Sequence, residues 1–251
     1  MNVKSLDMFD RKKHVLSSGL RSLKEKPEQS VALGNLACHS IDTIFWGWLV
    51  GCYDQVQCYM PEMISRIELA ISRKDSFGGD LDFYMARLHQ YRSIGAWVMQ
   101  DQAEVSCWAV ASNWLEKSEN IQNWGKAGLG SWFLDEYVTA CFLAEEYEKG
   151  ISAYEKYHGV SEIKSPGKSQ RKYAYKLCRS KIEGVFDKNK LFDMGKKFLR
   201  ENLEKDWLSK GQVSTAVKWI NIVNCKLGGV DAPLDAVLMA YQYMPDVKSP
   251  F

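Results

Sequence analysis

The stretch that decides the fold is SVALGNLACHSIDTIFWGWLVGCYDQVQCYM, Ser30–Met60. Its apolar residues recur at steps of three and four, as in Ile41, Phe45 and Trp48, which lays a wide apolar stripe along one side of a helix. Residues 44–53 form the most apolar run, but they are too few for a membrane span, which needs about 20 residues. The pattern predicts a long amphipathic helix that packs against a protein core.

The same periodicity returns along most of the chain, and no segment alternates apolar and polar residues as a strand would. Because proline cannot donate a helical hydrogen bond, we predict that Pro61 ends the first helix and begins another over 61–73. A helical hairpin with a break near Gln100–Gln102 is predicted over 81–117, and one helix from Ser131, a good N-cap, to about His158. Four more helices are predicted at about 171–186, 189–203, 214–225 and 234–244.

The predicted fold class is therefore all-α, with about eight to eleven helices in stacked antiparallel hairpins, a helical-repeat-like bundle. The low number of breakers, 6 prolines and 18 glycines, is untypical of a many-stranded sandwich or barrel. We predict a single helical domain over residues 1–251, with a candidate subdomain joint in the polar connection near 160–169.

Composition is that of an ordinary globular protein, with 46% hydrophobic and 25% charged residues. The 7 cysteines form no C-x-x-C pair, and most lie within apolar helical patterns, as is typical of small buried side chains in a reducing compartment. The N-terminal residues contain no apolar run of signal-peptide length. We therefore expect a cytoplasmic protein.

Several short motifs resemble reactive sites but lack essential parts. Ser165–Ser169, SPGKS, ends like a phosphate-binding loop, yet Glu162 stands where the first glycine is needed and would repel phosphate. Glu155 and His158 share a helix face, but di-iron bundles require a second such pair and two further glutamates. The sequence therefore predicts no catalytic residue, no metal and no cofactor.

An enzyme remains an alternative, with its site in a groove around His39, Asp42 and His89. His39 and Asp42 lie three apart on the long helix and so share a face. Cys38, although adjacent to His39, points about 100° away from it and cannot transfer a proton to it. A His–Asp pair that lines a groove or satisfies a polar contact in the core explains the same residues.

Charge is segregated along the chain, although the formal net charge is only +2. Residues 99–155 contain ten acids and three lysines, a balance of −7, whereas residues 161–200 contain twelve Lys or Arg and four acids, a balance of +8. Such segregation indicates two faces of opposite potential. Charged helix surfaces that complement one another within the fold explain it equally well.

Two segments resemble known families. AEEYEKGISAYEKY, Ala144–Tyr157, resembles the second helix of a tetratricopeptide repeat, with small residues at Ala144 and Gly150, but no second copy follows at a 34-residue period. GGVDAPLDAVLMAYQYMPD, Gly228–Asp246, following a hairpin-rich helical body of this length, resembles the immunity protein 49 family of bacterial polymorphic toxin systems.

The second resemblance implies a cytoplasmic protein without chemistry of its own, which binds and neutralises a cognate toxin. Since many such toxins are basic nucleases, the acidic segment 99–155 would be the docking surface, and the basic half would replace it for an acidic toxin. Two tryptophans are candidate interface anchors and seven carboxylates are candidate contacts: Trp114, Trp124, Glu116, Glu119, Asp135, Glu136, Glu145, Glu146 and Glu148.

Other binding roles stay open. A tetratricopeptide-like adaptor or regulator with a protein client fits the same architecture, and exposed aromatic residues would serve a homodimer equally well. The basic stretch Lys164–Arg179, with Tyr173 and Tyr175, fits phosphate contacts and base stacking, but a pI near 8.1 makes nucleic acid the less favoured partner.

Overall fold

The computed structural model describes residues 41, 45, 53–74, 81–122, 130–157, 168–203, 222–223 and 226–227. All seven elements that the structure defines within these ranges are α-helices, and the described residues contain no strand, so the predicted all-α class is confirmed for them. The seven helices are α1 Tyr53–Ser72, α2 Leu81–Val98, α3 Glu104–Gln122, α4 Gly130–Leu143, α5 Tyr147–Tyr157, α6 Lys168–Ile182 and α7 Lys188–Leu203. Part of the first predicted helix, Ser30–Met60, and the last two predicted helices fall largely outside the described ranges.

The chain divides into two compact units, a first unit of residues 1–118 and a second unit of residues 119–251. α1, α2 and most of α3 belong to the first unit, and α4 to α7 belong to the second. This division precedes the predicted joint near 160–169, most of which lies outside the described residues.

In the first unit α1 and α2 run antiparallel, because Ile64 faces Gly95 while Glu68, one turn later, faces Arg92, one turn earlier. A Cβ atom on Gly95 would lie 2.8 Å from Cγ1 of Ile64, so the glycine permits this close approach. Buried apolar side chains at helical spacing form the core: Ile41, Phe45, Val56, Met60, Met63, Ile67, Ala70, Met85, Ala86, Leu88, Ile94, Ala96, Trp108, Ala111 and Leu115.

The predicted helix boundary at Pro61 is wrong, because α1 continues through it from Tyr53 to Ser72. Proline removes one helical hydrogen bond, the one that the carbonyl of Gln57 would accept. Pro61 and Gln57 are both exposed, so water can satisfy that carbonyl and the helix does not need to end.

The predicted break near Gln100–Gln102 is confirmed, because α2 ends at Val98 and α3 begins at Glu104. Gln100 adopts a left-handed backbone conformation with φ 54°. Its N–H donates to the carbonyl of Trp97, and the N–H of Asp101 donates to that of Ala96, which closes the last turn of α2.

The single helix predicted from Ser131 to about His158 is wrong, because the chain forms α4 and α5 there instead. Glu145 adopts φ 62°, and the N–H of Glu146 donates to the carbonyl of Cys141. Without a glycine or proline at this place, the sequence contains no ordinary signal of a helix end.

In the second unit α4, α5 and α6 form a cluster in which each helix contacts the other two, and α7 packs on α6. Gly150 of α5 lies where the three meet, since a Cβ atom there would lie 3.0 Å from Sγ of Cys178 and 3.1 Å from Cβ of Cys141. The same cluster contains an ion pair between Arg171 of α6 and Asp135 of α4, each with 3% of its side chain exposed. The second unit is thus held together by close helix contact and a buried charge pair.

Candidate functional site

The first unit contains a cleft of about 390 Å³ on the side where α1, α2 and α3 come together. Eight residues line it: Glu68, Ile71 and Ser72 from α1, His89 and Arg92 from α2, and Ser106, Cys107 and Val110 from α3. Within each helix these residues are one, three or four positions apart, so each helix presents one side to the cleft. The cleft is therefore built from three helix faces.

Arg92 holds the walls of the cleft together. Its Nε donates to Oε1 of Glu68 on α1 at 2.9 Å, and its Nη2 lies 3.6 Å from Oδ2 of Asp101 in the turn before α3. The third nitrogen, Nη1, is buried and has no hydrogen-bond partner among the described residues. The guanidinium charge is thus matched by two carboxylates, while one of its donor groups stays unsatisfied.

His89 lines the cleft and stacks on Trp114, with ring centroids 6.3 Å apart and an interplanar angle of 8°. The ammonium group of Lys117 lies 4.2 Å from the centroid of the same indole. Burial lowers the pKa of His89 to about 4, because the charged form would lose its hydration. The imidazole is therefore neutral at pH 7.

Cys107 is half-buried in the wall that α3 contributes. Burial raises the pKa of its thiol, an effect that the nearby Arg92 opposes and that Asp101, Glu104 and Glu68 reinforce. The thiol is therefore protonated at neutral pH, whereas a nucleophilic cysteine needs its thiolate. A neutral imidazole, a protonated thiol and a charge-matched guanidinium make this cleft suited to hold a ligand by contact and hydrogen bonding.

Among the residues predicted to bind a partner, the structure brings Trp114 to this cleft through its stack on His89. Trp114 is half-buried, and Glu116, on the same helix, is exposed. The side chain of Glu119 and all of Trp124 lie outside the described residues. Two predicted contacts of the first unit are thus accessible to a partner.

In the second unit the predicted acidic contacts separate into two groups. Asp135 and Glu136 are each only 2% exposed, so they lie within the helix cluster and do not belong to an exposed face. This corrects their assignment to a docking surface: α4 turns its whole length from 134 to 143 inward, and Asp135 is matched there by Arg171. Glu145 and Glu148 are exposed.

Glu146 is half-buried and pairs with Lys149, whose Nζ lies 3.3 Å from its carboxylate. Lys149 also lies over the ring of Tyr137, 5.6 Å from its centroid. The predicted acidic contacts of the second unit that solvent reaches therefore lie in the turn between α4 and α5 and in the first turn of α5, and their charge is partly neutralised by Lys149.

Sequence reasoning identified His89 but missed Glu68, Arg92 and Cys107 as neighbours of it. His39 and Asp42, its companions in the enzyme hypothesis, lie outside the described residues. A signal was present, because α2 places His89 and Arg92 one turn apart on a helix that is otherwise rich in apolar residues. The residues from α1 and α3 that complete the cleft required knowledge of which helices pack together.

Comparison of the chain with protein-family models, with curated proteins and with solved structures finds no match. Within the described ranges, no three His, Cys, Asp or Glu side chains are grouped as a metal ion would need. None of the described helices has both the length and the apolarity that crossing a membrane requires.

Proposed function

We propose that this protein is a non-catalytic protein-binding protein of the bacterial cytoplasm, an immunity protein that binds and neutralises a cognate toxin. Its helices, as stacked hairpins, would supply a preorganised scaffold, and the cleft of the first unit would receive part of the toxin. The proposal takes its class of function from the resemblance of Gly228–Asp246 to immunity protein 49, and its docking place from the cleft.

The observation that carries the proposal is the combination of the cleft with accessible apolar and aromatic side chains. Val110, 39% exposed, lines the cleft, and Leu69, also exposed, follows Glu68 on α1. Trp114 stacks on His89, which lines the cleft, and it is a suitable anchor, since tryptophan is enriched among the residues that dominate binding energy. Apolar surface around a concave site is typical of a docking site.

Charge around the cleft favours a basic partner. Glu68 is 55% exposed and Asp101 is 39% exposed, so both carboxylates are reached by solvent although Arg92 contacts them. Glu116 is exposed on α3. Carboxylates placed around an apolar centre would steer a positively charged toxin toward the cleft and set its orientation.

The test uses the toxin encoded beside the gene for this chain, coexpressed with the full chain in a bacterial host. Wild type should restore growth and bind the toxin with nanomolar affinity. Val110→Glu would place a charge in the cleft and should weaken binding at least tenfold. Val185→Glu is the matched control, because Val185 is 64% exposed in the second unit and lies outside the cleft.

Two results would contradict the proposal. One is a neighbouring gene product that is harmless in the absence of this chain. The other is a Val110→Glu protein that is folded by circular dichroism and still protects as well as Val185→Glu does.

A second candidate function is a tetratricopeptide-like adaptor. Gly150, a small residue of the segment that resembles such a repeat, lies at a three-helix contact, which is the role that small residues play in stacked helical hairpins. An adaptor would bind several clients at micromolar affinity through extended peptides. Titration with the purified toxin separates the two roles, since an adaptor would show no single nanomolar partner.

A further inference from the structure

We propose that the α6–α7 turn, residues 181–190, binds the surface of a membrane that contains anionic phospholipids. Two exposed aliphatic side chains of the turn enter the membrane interface, and the cations around them contact the phosphate groups. Such contact is peripheral and needs no membrane-spanning helix. The inference goes beyond the proposed function and does not depend on it, because the turn belongs to the second unit and the cleft to the first.

The α6–α7 turn is open to solvent along almost its whole length. Nine of its ten residues are exposed, and a Cβ atom on Gly184 would meet nothing within 4 Å. Val185 is 64% exposed and Ile182 is 48% exposed, the two highest values among the large apolar side chains of the described residues. Single exposed apolar residues are ordinary, but these two lie three positions apart and together form a small apolar tip.

The backbone holds Val185 in its exposed position. Gly184 adopts a left-handed conformation with φ 68°, and the N–H of Val185 donates to the carbonyl of Ser180 at 3.1 Å. At a helix end of this kind, an apolar residue in the position of Val185 commonly packs on the residue five or six positions earlier. Those residues are Ser180 and Arg179, and both are polar. The usual local cover for the valine is therefore missing from the sequence.

Cations surround this apolar tip. From 170 to 190, six exposed lysine or arginine residues stand against two exposed carboxylates, an excess of four positive charges. One carboxylate, Glu183, pairs with Arg179, and the other, Asp187, accepts the N–H of Lys190 at the start of α7. The exposed cations are Lys172, Lys176, Arg179, Lys181, Lys188 and Lys190. A positive surface with an apolar centre complements an anionic membrane interface, which attracts lysine and takes up aliphatic groups.

The same surface suits phospholipid better than nucleic acid. Tyr173 is 1% exposed, and Tyr175 stacks on Tyr154 with ring centroids 4.0 Å apart, so the aromatic rings of this basic stretch are engaged within the fold. Proteins that bind single strands need such rings to stack on bases. The side chains that the turn does offer, Ile182 and Val185, are aliphatic and gain nothing from a sugar–phosphate backbone.

The test measures cosedimentation of the full chain with two kinds of vesicle, phosphatidylcholine alone and phosphatidylcholine with about 30% phosphatidylglycerol. Affinity for the anionic vesicles should exceed that for the neutral ones at least tenfold. It should fall at least tenfold between about 50 and 500 mM salt, because salt screens the attraction between exposed charges.

Valine variants test the apolar tip. Val185→Glu should weaken binding to anionic vesicles at least tenfold, because it replaces the inserted group by a charge that the headgroups repel. Val110→Glu makes the same change in the first unit and should stay within twofold of wild type. Val185→Trp should strengthen binding at least threefold, since tryptophan favours the membrane interface, and a loss of folding cannot produce such a gain.

Lysine variants test the charge. Lys188→Glu should weaken binding at least fivefold, because each cation near an anionic surface contributes about that factor. A glutamate in the first turn of α7 suits the helix dipole, so the fold should be kept. Lys74→Glu changes the net charge equally at an exposed lysine of the first unit and should weaken binding less than twofold.

Equal binding to both kinds of vesicle, or binding to neither, would overturn the inference, as would unchanged binding of folded Val185→Glu or Lys188→Glu. Tighter binding to a DNA duplex or to polyglutamate than to anionic vesicles would overturn it as well, because the surface would then serve a nucleic acid or an acidic protein. The proposed function is judged separately, by the affinity of Val110→Glu for the toxin in the absence of vesicles.

Discussion

The two units each join neighbouring helices by an arginine–carboxylate pair, but they place that pair in opposite surroundings. In the first unit Arg92 reaches Glu68 beside an open cleft, and the carboxylate is 55% exposed. In the second unit Arg171 and Asp135 are both enclosed, with Nε of the arginine 3.3 Å from Oδ1 of the aspartate. The same pair of residue types therefore serves an accessible site in one unit and the interior in the other.

The second pair is embedded in further polar contacts. The side-chain amide of Gln170, next to Arg171, donates to the backbone carbonyl of Asp135 at 3.2 Å and to Oγ1 of Thr139 at 3.0 Å. α4 and α6 are thus joined by a small polar network inside an otherwise apolar cluster. Such a network is stable only when its members remain paired.

The largest expected effect on stability comes from replacing the carboxylate of each pair by the corresponding amide. Asp135→Asn leaves Arg171 as a buried, unmatched cation and should lower the free energy of unfolding by about 3–5 kcal/mol. Glu68→Gln, at a half-exposed carboxylate, should lower it by about 0–1 kcal/mol. Urea denaturation of both variants measures the difference, and equal losses would show that burial does not separate the two pairs.

The next effect is a pH dependence that belongs to the first unit. The pKa of His89 is about 4 in the folded chain and about 6.5 in the unfolded chain, so the unfolded chain binds the additional proton between these values. The contribution of His89 to stability is therefore full above about pH 6.5 and is lost as pH decreases toward 4. The loss is at most about 3 kcal/mol, and solvent screening of the partly exposed ring makes it smaller.

Urea denaturation of wild type and His89→Gln at pH 7 and pH 4.5 checks this expectation. The variant should lose less stability than wild type between the two values, because glutamine does not titrate. Parallel losses in the two proteins would assign the pH dependence to other groups.

A smaller effect should distinguish the two close-packed glycines. The Cβ of Gly150→Ala would meet Cβ of Cys141 at 3.1 Å, an atom fixed to the backbone of α4, and we expect a loss of about 1–2 kcal/mol. In Gly95→Ala the new atom would meet the side chain of Ile64, which is half-buried and can change rotamer.

The helical preference for alanine, about 1 kcal/mol, should then offset most of the clash in Gly95→Ala. Thermal denaturation compares the two variants. A larger decrease in melting temperature for Gly95→Ala than for Gly150→Ala would mean that the contact between α1 and α2 tolerates an added methyl group less well.

The smallest expected effect on stability concerns helix ends at a residue with positive φ. Among the described residues, each unit has one such residue other than glycine, Gln100 in the first and Glu145 in the second. Gln100→Gly and Glu145→Gly should each raise the free energy of unfolding by up to about 1 kcal/mol, because φ values of 54° and 62° suit glycine better. Gly184, at φ 68°, is the reference, and Gly184→Ala should lower stability by about 1 kcal/mol. No change in any of the three would indicate that these turns rearrange freely.

The fold class could be predicted because three- and four-residue periodicity is a local property, and the break at Gln100 lay where that periodicity is interrupted. The end of α4 at Leu143 could not be predicted, because the left-handed residue that follows it is Glu145 and not a glycine. The burial of Asp135 and Glu136 could not be predicted either. From sequence alone, a charged residue is predicted to be exposed. The burial of Asp135 becomes understandable only once its partner Arg171, two helices later, is known.

The residues of the candidate site also divide into those that the sequence could identify and those that it could not. His89 and Trp114 could be selected individually as unusual residues, whereas their stacking depends on how α2 packs against α3. Arg92 could not be selected from the sequence, since an arginine on a helix is common. Only the structure shows that one of its donor groups is buried without an acceptor among the described residues. The cleft depends on the packing of three helices, and periodicity specifies only which side of each helix is apolar.

Pro61 has a consequence for the exchange of backbone amides with solvent. Because α1 lacks one hydrogen bond at Pro61, the turn that ends there can open without breaking the ladder of the turns beyond. The residues that α1 contributes to the cleft, from Glu68 to Ser72, all lie in that later part. Deuterium should therefore enter the amides of the turn before Pro61 ahead of those near Glu68, and the wall of the cleft would stay formed while that turn opens.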